Sequence, residues 1–220
     1  MKLFVQSRSI EEIRQMANAG LVDGVTVSLA EVMDAEADGD LKEQVTAISQ
    51  ALAVPICVPV PAVTQADLYR DGRELARGLE QLVLQVPFLE DTVLPIRKLV
   101  ADGVKVCATH VYNGAQAFLA AKVGASMVTV QADILDEHGQ RSAEVIAEIR
   151  DVLDRADLEC ELMVSAVTGT TTFMECLLAG ANSICVSPTM LRGMMVHALT
   201  DRSIDRFLRD LSRRRTPRSN

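Results

Sequence analysis

The chain has 220 residues, with 49% hydrophobic and 24% charged side chains and a formal net charge of −8. That length suits one α/β domain, and the negative balance speaks against a broad nucleic-acid face. Seven aromatics and no Trp leave no platform for stacking bases, so the core has to be built from Ala, Val, Leu, Ile and Met.

Short aliphatic runs alternate with amphipathic stretches. Strands are expected at Lys2–Gln6, Gly24–Ser28, Pro55–Val60, Leu82–Val86, Val104–Thr109, Met127–Gln131, Glu161–Ala166 and Ser183–Val186. Helices are expected at Ile10–Ala19, Leu41–Leu52, Gln65–Gln81, Asp91–Ala101, Gly114–Val123, Arg141–Arg155, Thr171–Ala179 and Pro188–Ala198, each with apolar residues at three-to-four spacing. Gly20, Gly103, Gly124 and Gly180 follow helices, where a glycine supplies the left-handed residue that stops them. Eight strands each followed by a helix match an α/β fold of the (β/α)8 TIM-barrel kind. A doubly wound open sheet shares the alternation, but no GxGxxG or GxxxxGK[ST] loop supports it.

The punctuation is sparse. Residues 1–211 read as a single barrel domain with a C-terminal helix, and residues 212–220 as a flexible basic tail. The acidic run from Met33 to Asp40 reads as a solvated loop. No apolar run approaches the ~20 residues of a membrane span, and the start lacks the apolar core of a signal peptide. Cys57, Cys107, Cys160, Cys176 and Cys185 are odd in number and lack CxxC spacing, so reduced core cysteines in a cytoplasmic protein are expected. No membrane or nucleic-acid partner and no cofactor or metal is expected.

In a barrel the chemistry sits at the C-terminal ends of the strands. Alternation along each strand points Gln6, Thr26, Ser28, Val58, Val60, Gln85, Cys107, Thr109, Thr129, Gln131 and Ala166 inward, with His110, Tyr112 and Asp133 just beyond strand ends. Glutamine does not titrate, so Asp133 and His110 are the acid–base candidates, with Gln85 and Thr109 beside them. Gln6, Thr26, Ser28, Gln131 and Tyr112 would orient a substrate. Thr168, Gly169 and Thr170 open a helix after the seventh strand, where backbone N–H groups could cradle an anion.

Three stretches carry a resemblance: Leu84-Gln85-Val86-Pro87, the run from Ala108 to Ala117 (ATHVYNGAQA), and the run from Cys176 to Ala181 (CLLAGA). They are similar to KVP, GTAVY-x-x-AQ and CLLAG of the small transaldolases and fructose-6-phosphate aldolases. Gly24-Val25-Thr26-Val27-Ser28 resembles that family's GVTTNPS, and Ile134-Leu135-Asp136 its R-I-D. The resemblance runs over nearly the whole chain. It implies a (β/α)8 barrel assembled as a homo-oligomer, a pentamer or a decamer of two rings, and Schiff-base chemistry from a strand-four lysine. That lysine matches Gln85, whose amide nitrogen is not nucleophilic. By the same resemblance the strand-one Asp matches Gln6, the strand-two Asn Ser28, the strand-three Gln Val58, the Tyr that positions water Gln131, the phosphate-contacting Arg Ile134 and a Ser Ala166. Thr26, Thr109 and Asp136 persist.

The expectation is therefore a divergent enzyme that binds a small carbonyl compound without a protein Schiff base, with an amine co-substrate condensing to form a C–C or C–N bond. A non-catalytic ligand-binding or scaffold barrel, and aldolase-type activity on sugar phosphates, are the alternatives.

Overall fold

A computed structural model describes residues 1–7, 9–30, 41–62 and 64–215. The acidic run from Met33 to Asp40 and the last five residues of the expected tail lie outside the described residues.

The eight strands are β1 Lys2–Gln6, β2 Gly24–Thr26, β3 Ile56–Pro59, β4 Leu82–Pro87, β5 Lys105–Thr109, β6 Met127–Gln131, β7 Glu161–Ser165 and β8 Ser183–Val186. Every neighbouring pair is parallel, and β8 pairs back onto β1, so the order β1 to β8 closes a (β/α)8 barrel. Closure buries both faces of every strand, which is why the strands read as aliphatic runs rather than alternations.

Around the sheet run α1 Ile10–Asn18, α2 Leu41–Ala51, α3 Gln65–Ala76, α4 Val93–Ala101, α5 Gly114–Lys122, α6 Ala132–Glu137, α7 Ser142–Arg155, α8 Thr170–Leu178, α9 Pro188–Met194 and α10 Ala198–Arg215. Side-chain caps start several of them: Ser9 accepts from Glu12 N–H, Thr64 from Asp67 N–H and Asn113 from Gln116 N–H. The helix α3 ends at Ala76, five residues short of the expected Gln81. Gly78 turns left-handed there (φ +81°) and leads a tight turn into β4. The short α6 was not expected. Asp136 at its end accepts from Ser142 N–H (3.0 Å) and Ser142 Oγ (3.2 Å), which ties α6 to the start of α7.

The barrel interior is filled by one apolar layer: Phe4, Cys57, Val83, Cys107, Met127, Met163 and Cys185. Gly24 has a steric reason. A Cβ there would lie 2.2 Å from Cε1 of Phe4, so only glycine lets that ring into the layer. Burial pushes the Cys107 thiol up to about 12 and the Cys185 thiol up to about 11. Cys57 is likewise raised, by burial first and then by Cys107 and Cys185. All five cysteines are free and buried.

One expectation about this frame changes. On β3 the interior residues are Cys57 and Pro59, not Val58, because Cys57 belongs to the central layer and side chains alternate. Val60 lies beyond the strand end and reaches the upper cavity from there. The chain divides into two compact units, Met1–Pro188 and Thr189–Asn220. In the second unit α10 continues to Arg215, with Arg209 Nε donating to Asp205 O (3.1 Å) and Ser212 Oγ to Arg209 O (2.8 Å), so the helix passes the expected boundary. No helix among the described residues is long and apolar enough to cross a membrane.

Candidate active site

Two residues above the apolar layer the interior turns polar. Phe4 gives way to Gln6 on β1, Val83 to Gln85 on β4, Cys107 to Thr109 on β5, Met127 to Thr129 on β6 and Met163 to Ser165 on β7. These residues surround a cavity of about 910 Å³ at the C-terminal ends of the strands, where barrels place their chemistry. Thr26, Ser28, His110 and Gln131 also line it, and Met163 forms part of its floor.

Gln85 is 8% exposed and lines the cavity, and its side-chain amide makes no hydrogen bond to another described residue. Thr26 is similarly buried, and its Oγ1 is sealed from the cavity beside the Cys57 and Cys185 thiols, whose pKa values it tempers. A buried amide left open at the end of a barrel is a group that a ligand or water has to satisfy. The Thr129 hydroxyl is committed to the layer below, its Oγ1 lying 2.9 Å from Cys107 Sγ.

On the opposite side, Tyr112 Oη donates to Gln131 Oε1 at 2.7 Å. That bond consumes the amide oxygen and fixes the orientation of Gln131, leaving its NH2 group as the free donor. Tyr112 is in turn held by its backbone N–H, which donates to Gln116 Oε1 (2.8 Å). Burial first, and then the nearby Asp133 charge, raises the Tyr112 pKa above its ordinary value, so the phenol stays a donor.

His110 follows β5 in the left-handed region, at φ +59°. A non-glycine residue held there stores backbone strain, and such strain gathers at functional sites. Its Nδ1 lies 3.0 Å from Thr109 Oγ1, which leaves Nε2 without a partner among the described residues. His110 and the rim residue Asp91 are the titratable side chains of the lining among the described residues.

Asp133 lies outside the lining. It sits in the first turn of α6, where Oδ1 accepts from Ile134 N–H (2.8 Å), and reaches the site only through its charge on Tyr112. Tyr112 likewise acts through Gln131 rather than lining the cavity. Thr168, Gly169 and Thr170 are outside the lining too: Gly169 caps α8 and Thr170 begins it. Ala166, expected to face inward, instead adopts φ +56° just after β7, and Ser165 takes the wall position.

The five lysines of the chain all lie away from the cavity. Lys2 pairs with Glu161 and Lys105 begins β5, both at strand starts. Lys42 pairs with Glu74, Lys98 stands over the Tyr69 ring and Lys122 over the Phe118 ring. No group of three or more His, Cys, Asp or Glu among the described residues could hold a metal ion.

On one wall of this cavity sequence reasoning foresaw Val60 alone. Pro61 after β3, Leu68 on α3 and Leu89 after β4 join it as an apolar surface, with Thr64, Gln65, Asp91 and Thr92 beside them. Loops and helix faces escape strand alternation.

The profile of the transaldolase/fructose-6-phosphate aldolase family matches residues 3–216. Relatives in Bartonella tribocorum and Clostridium botulinum, each described as a probable transaldolase, are 30% identical over 210 residues, which is 96% of this chain and 96% of theirs. A probable transaldolase of Alkaliphilus metalliredigens is 29% identical over 96% of this chain and 97% of its own length.

Proposed function

Because this chain belongs to the transaldolase/fructose-6-phosphate aldolase family, whose chemistry is of the aldolase carbon–carbon type, we propose that it is a divergent enzyme of that lineage. It holds a small carbonyl compound at the barrel mouth without a covalent bond to the protein. The observation that carries this reading is the placement of every lysine away from the mouth, with an unpartnered Gln85 amide at the end of β4. A Schiff base needs an amine that is nucleophilic when deprotonated, and an amide offers none.

The amine is supplied by a second substrate. Its nitrogen attacks the carbonyl carbon, the two protons it loses pass in turn through His110 to the former carbonyl oxygen, and that oxygen leaves as water as the imine forms. That imine is the electron sink from which a C–C or C–N bond is made. His110 suits the proton transfer because Nδ1 is anchored on Thr109 and Nε2 is open. Gln85 and the NH2 of Gln131 orient the carbonyl oxygen. A cavity whose lining carries Asp91 and no described Lys or Arg favours an ammonium over a phosphate dianion.

The glutamines are not bonded to one another. Gln131 is tied to Tyr112, and Gln85 is open. That speaks for a binding mouth over a scaffold barrel closed by its own amides.

Borohydride reduction in the presence of dihydroxyacetone or fructose 6-phosphate tests the reading by mass spectrometry. No mass gain on the protein is expected, and a stable adduct would overturn it.

The reading extends to assembly as a homo-oligomer. Residues 1–188 carry 14 Lys and Arg against 27 Asp and Glu, whereas residues 189–220 carry 8 against 3. On α10, Ile204, Phe207, Leu208 and Leu211 are 42–58% exposed along one face. A basic helix with a bare apolar face suits the acidic body of a second copy. Size-exclusion chromatography is expected to show assembly intact after removal of residues 212–220, and weakened after removal from Ser203.

A further inference from the structure

Building on the non-covalent reading above, we propose that the substrate is an amphipathic carbonyl compound. Its polar head meets Gln85, and an apolar substituent lies against a wall made by Val60, Pro61, Leu68 and Leu89.

Size gives the first argument. A three-carbon compound occupies on the order of 100 Å³, by comparison with ~30 Å³ for a water molecule. The cavity holds about 910 Å³, within the range of sites that bury drug-sized ligands. Something much larger than a triose fits the space.

The distribution of chemistry gives the second. Polar groups concentrate on the side of β1, β5, β6 and β7 and at the Gln85 end of β4. The loops after β3 and β4 and the first turn of α3 bring an apolar group to the same cavity, Val60, Pro61, Ala62, Leu68 and Leu89, with Thr64, Gln65, Asp91 and Thr92 beside it. Leu68 is 5% and Val60 7% exposed, so these side chains are packed in place. At the rim, Leu89 is 59% exposed, an apolar side chain held in water beside a polar pocket.

The wall is also preformed. Thr92 Oγ1 accepts from Leu89 N–H at 2.9 Å and donates to Pro87 O at 2.7 Å, which pins the loop that carries Leu89. Val60 N–H donates to Gln85 O at 3.1 Å, so the β3 end and the Gln85 position are locked together. A ligand head on Gln85 therefore has a fixed apolar surface next to it. Covering that surface with hydrocarbon releases water from both and adds affinity with each methylene.

Calorimetric binding of a series of 1-hydroxy-2-alkanones from three to seven carbons, with dihydroxyacetone phosphate as the comparison, tests this. The dissociation constant is expected to tighten by about fourfold per added methylene until the wall is covered. The phosphate is expected to bind more weakly than the longer ketones. Leu89→Asp, at a side chain on which the fold does not lean, is expected to flatten the series. A flat or inverted series in the unaltered protein, tightest binding by the phosphate, or no binding by any member overturns the proposal. A flat series with no borohydride adduct removes the apolar substituent alone, whereas a trapped adduct removes the non-covalent reading itself.

Discussion

Two levels of one barrel interior, a single side-chain step apart, serve different ends. The lower level is Phe4, Cys57, Val83, Cys107, Met127, Met163 and Cys185, sealed and apolar. The upper level on the same strands is Gln6, Pro59, Gln85, Thr109, Thr129 and Ser165, polar and open. Below, each thiol is buried and raised in pKa, so it is chemically quiet. Above, the Gln85 amide has no partner among the described residues, and a histidine is held in strained backbone. Stability is concentrated in the first level and the proposed binding in the second, so substitutions at the two are expected to move different observables.

The largest effect is expected at the lower level. Phe4→Ala removes a fully buried ring from a closed layer and should destabilise the protein by about 3–5 kcal/mol in urea unfolding. A loss below about 1 kcal/mol would mean that the layer collapses around the gap, and the contrast would fail. The thiols of that layer add a pH dependence. Their folded pKa values, about 12 for Cys107 and about 11 for Cys185, lie above the ordinary 9.0. An acid held protonated by the fold contributes no pH dependence below about 9. It lowers stability as pH climbs from there toward its folded value, because the unfolded thiol ionises first. Urea midpoints should thus be level up to about pH 9 and fall above it, and native protein at pH 8 should resist thiol labelling.

How much of this was legible beforehand follows the same division. Aliphatic runs in a closed parallel sheet announce strands directly, and β1, β6 and β8 fall where the runs predicted. Alternation placed Gln6, Gln85, Thr109, Thr129 and Gln131 at the mouth because each strand carries a polar residue that marks the inner face. It failed on β3, where Cys57, Val58, Pro59 and Val60 are all small and apolar and nothing marks a face. It also could not direct residues past strand ends. Asp133 turned into α6, Thr168–Thr170 into the start of α8, and Leu68 and Leu89 came to the cavity from a helix and a loop.

At the upper level stability and binding should part. Gln85→Leu removes an amide that the fold leaves unpartnered, so unfolding free energy is expected to hold or to rise by about 1 kcal/mol. Carbonyl-ligand affinity should fall by tenfold or more in calorimetry. Joint loss of stability and binding would make Gln85 part of the frame instead. His110 allows a finer version. Both His110→Ala and His110→Gly delete the ring, but only glycine adopts φ +59° freely. The glycine variant should therefore be the more stable of the two by about 1 kcal/mol, the reverse of the usual order. Equal stabilities would remove the strain from the account.

The smallest expected effect decides what Asp133 does. Its carboxylate raises the Tyr112 pKa, but burial is the larger cause. Asp133→Asn should lower the Tyr112 value only slightly in an ultraviolet titration. The other tyrosine, Tyr69, should not move, because its raised pKa comes first from its hydrogen bond to Asp102. The Tyr112–Gln131 bond does not use Asp133, so the free NH2 of Gln131 keeps its aim and ligand affinity should change by less than threefold. If Asp133 instead carried the proton in the reaction, the same variant would slow turnover by about 10²-fold or more while leaving binding intact. That outcome would move the acid–base role from the strained histidine at the end of β5 to the first turn of α6, and the polar level would have to extend past the cavity wall to include it.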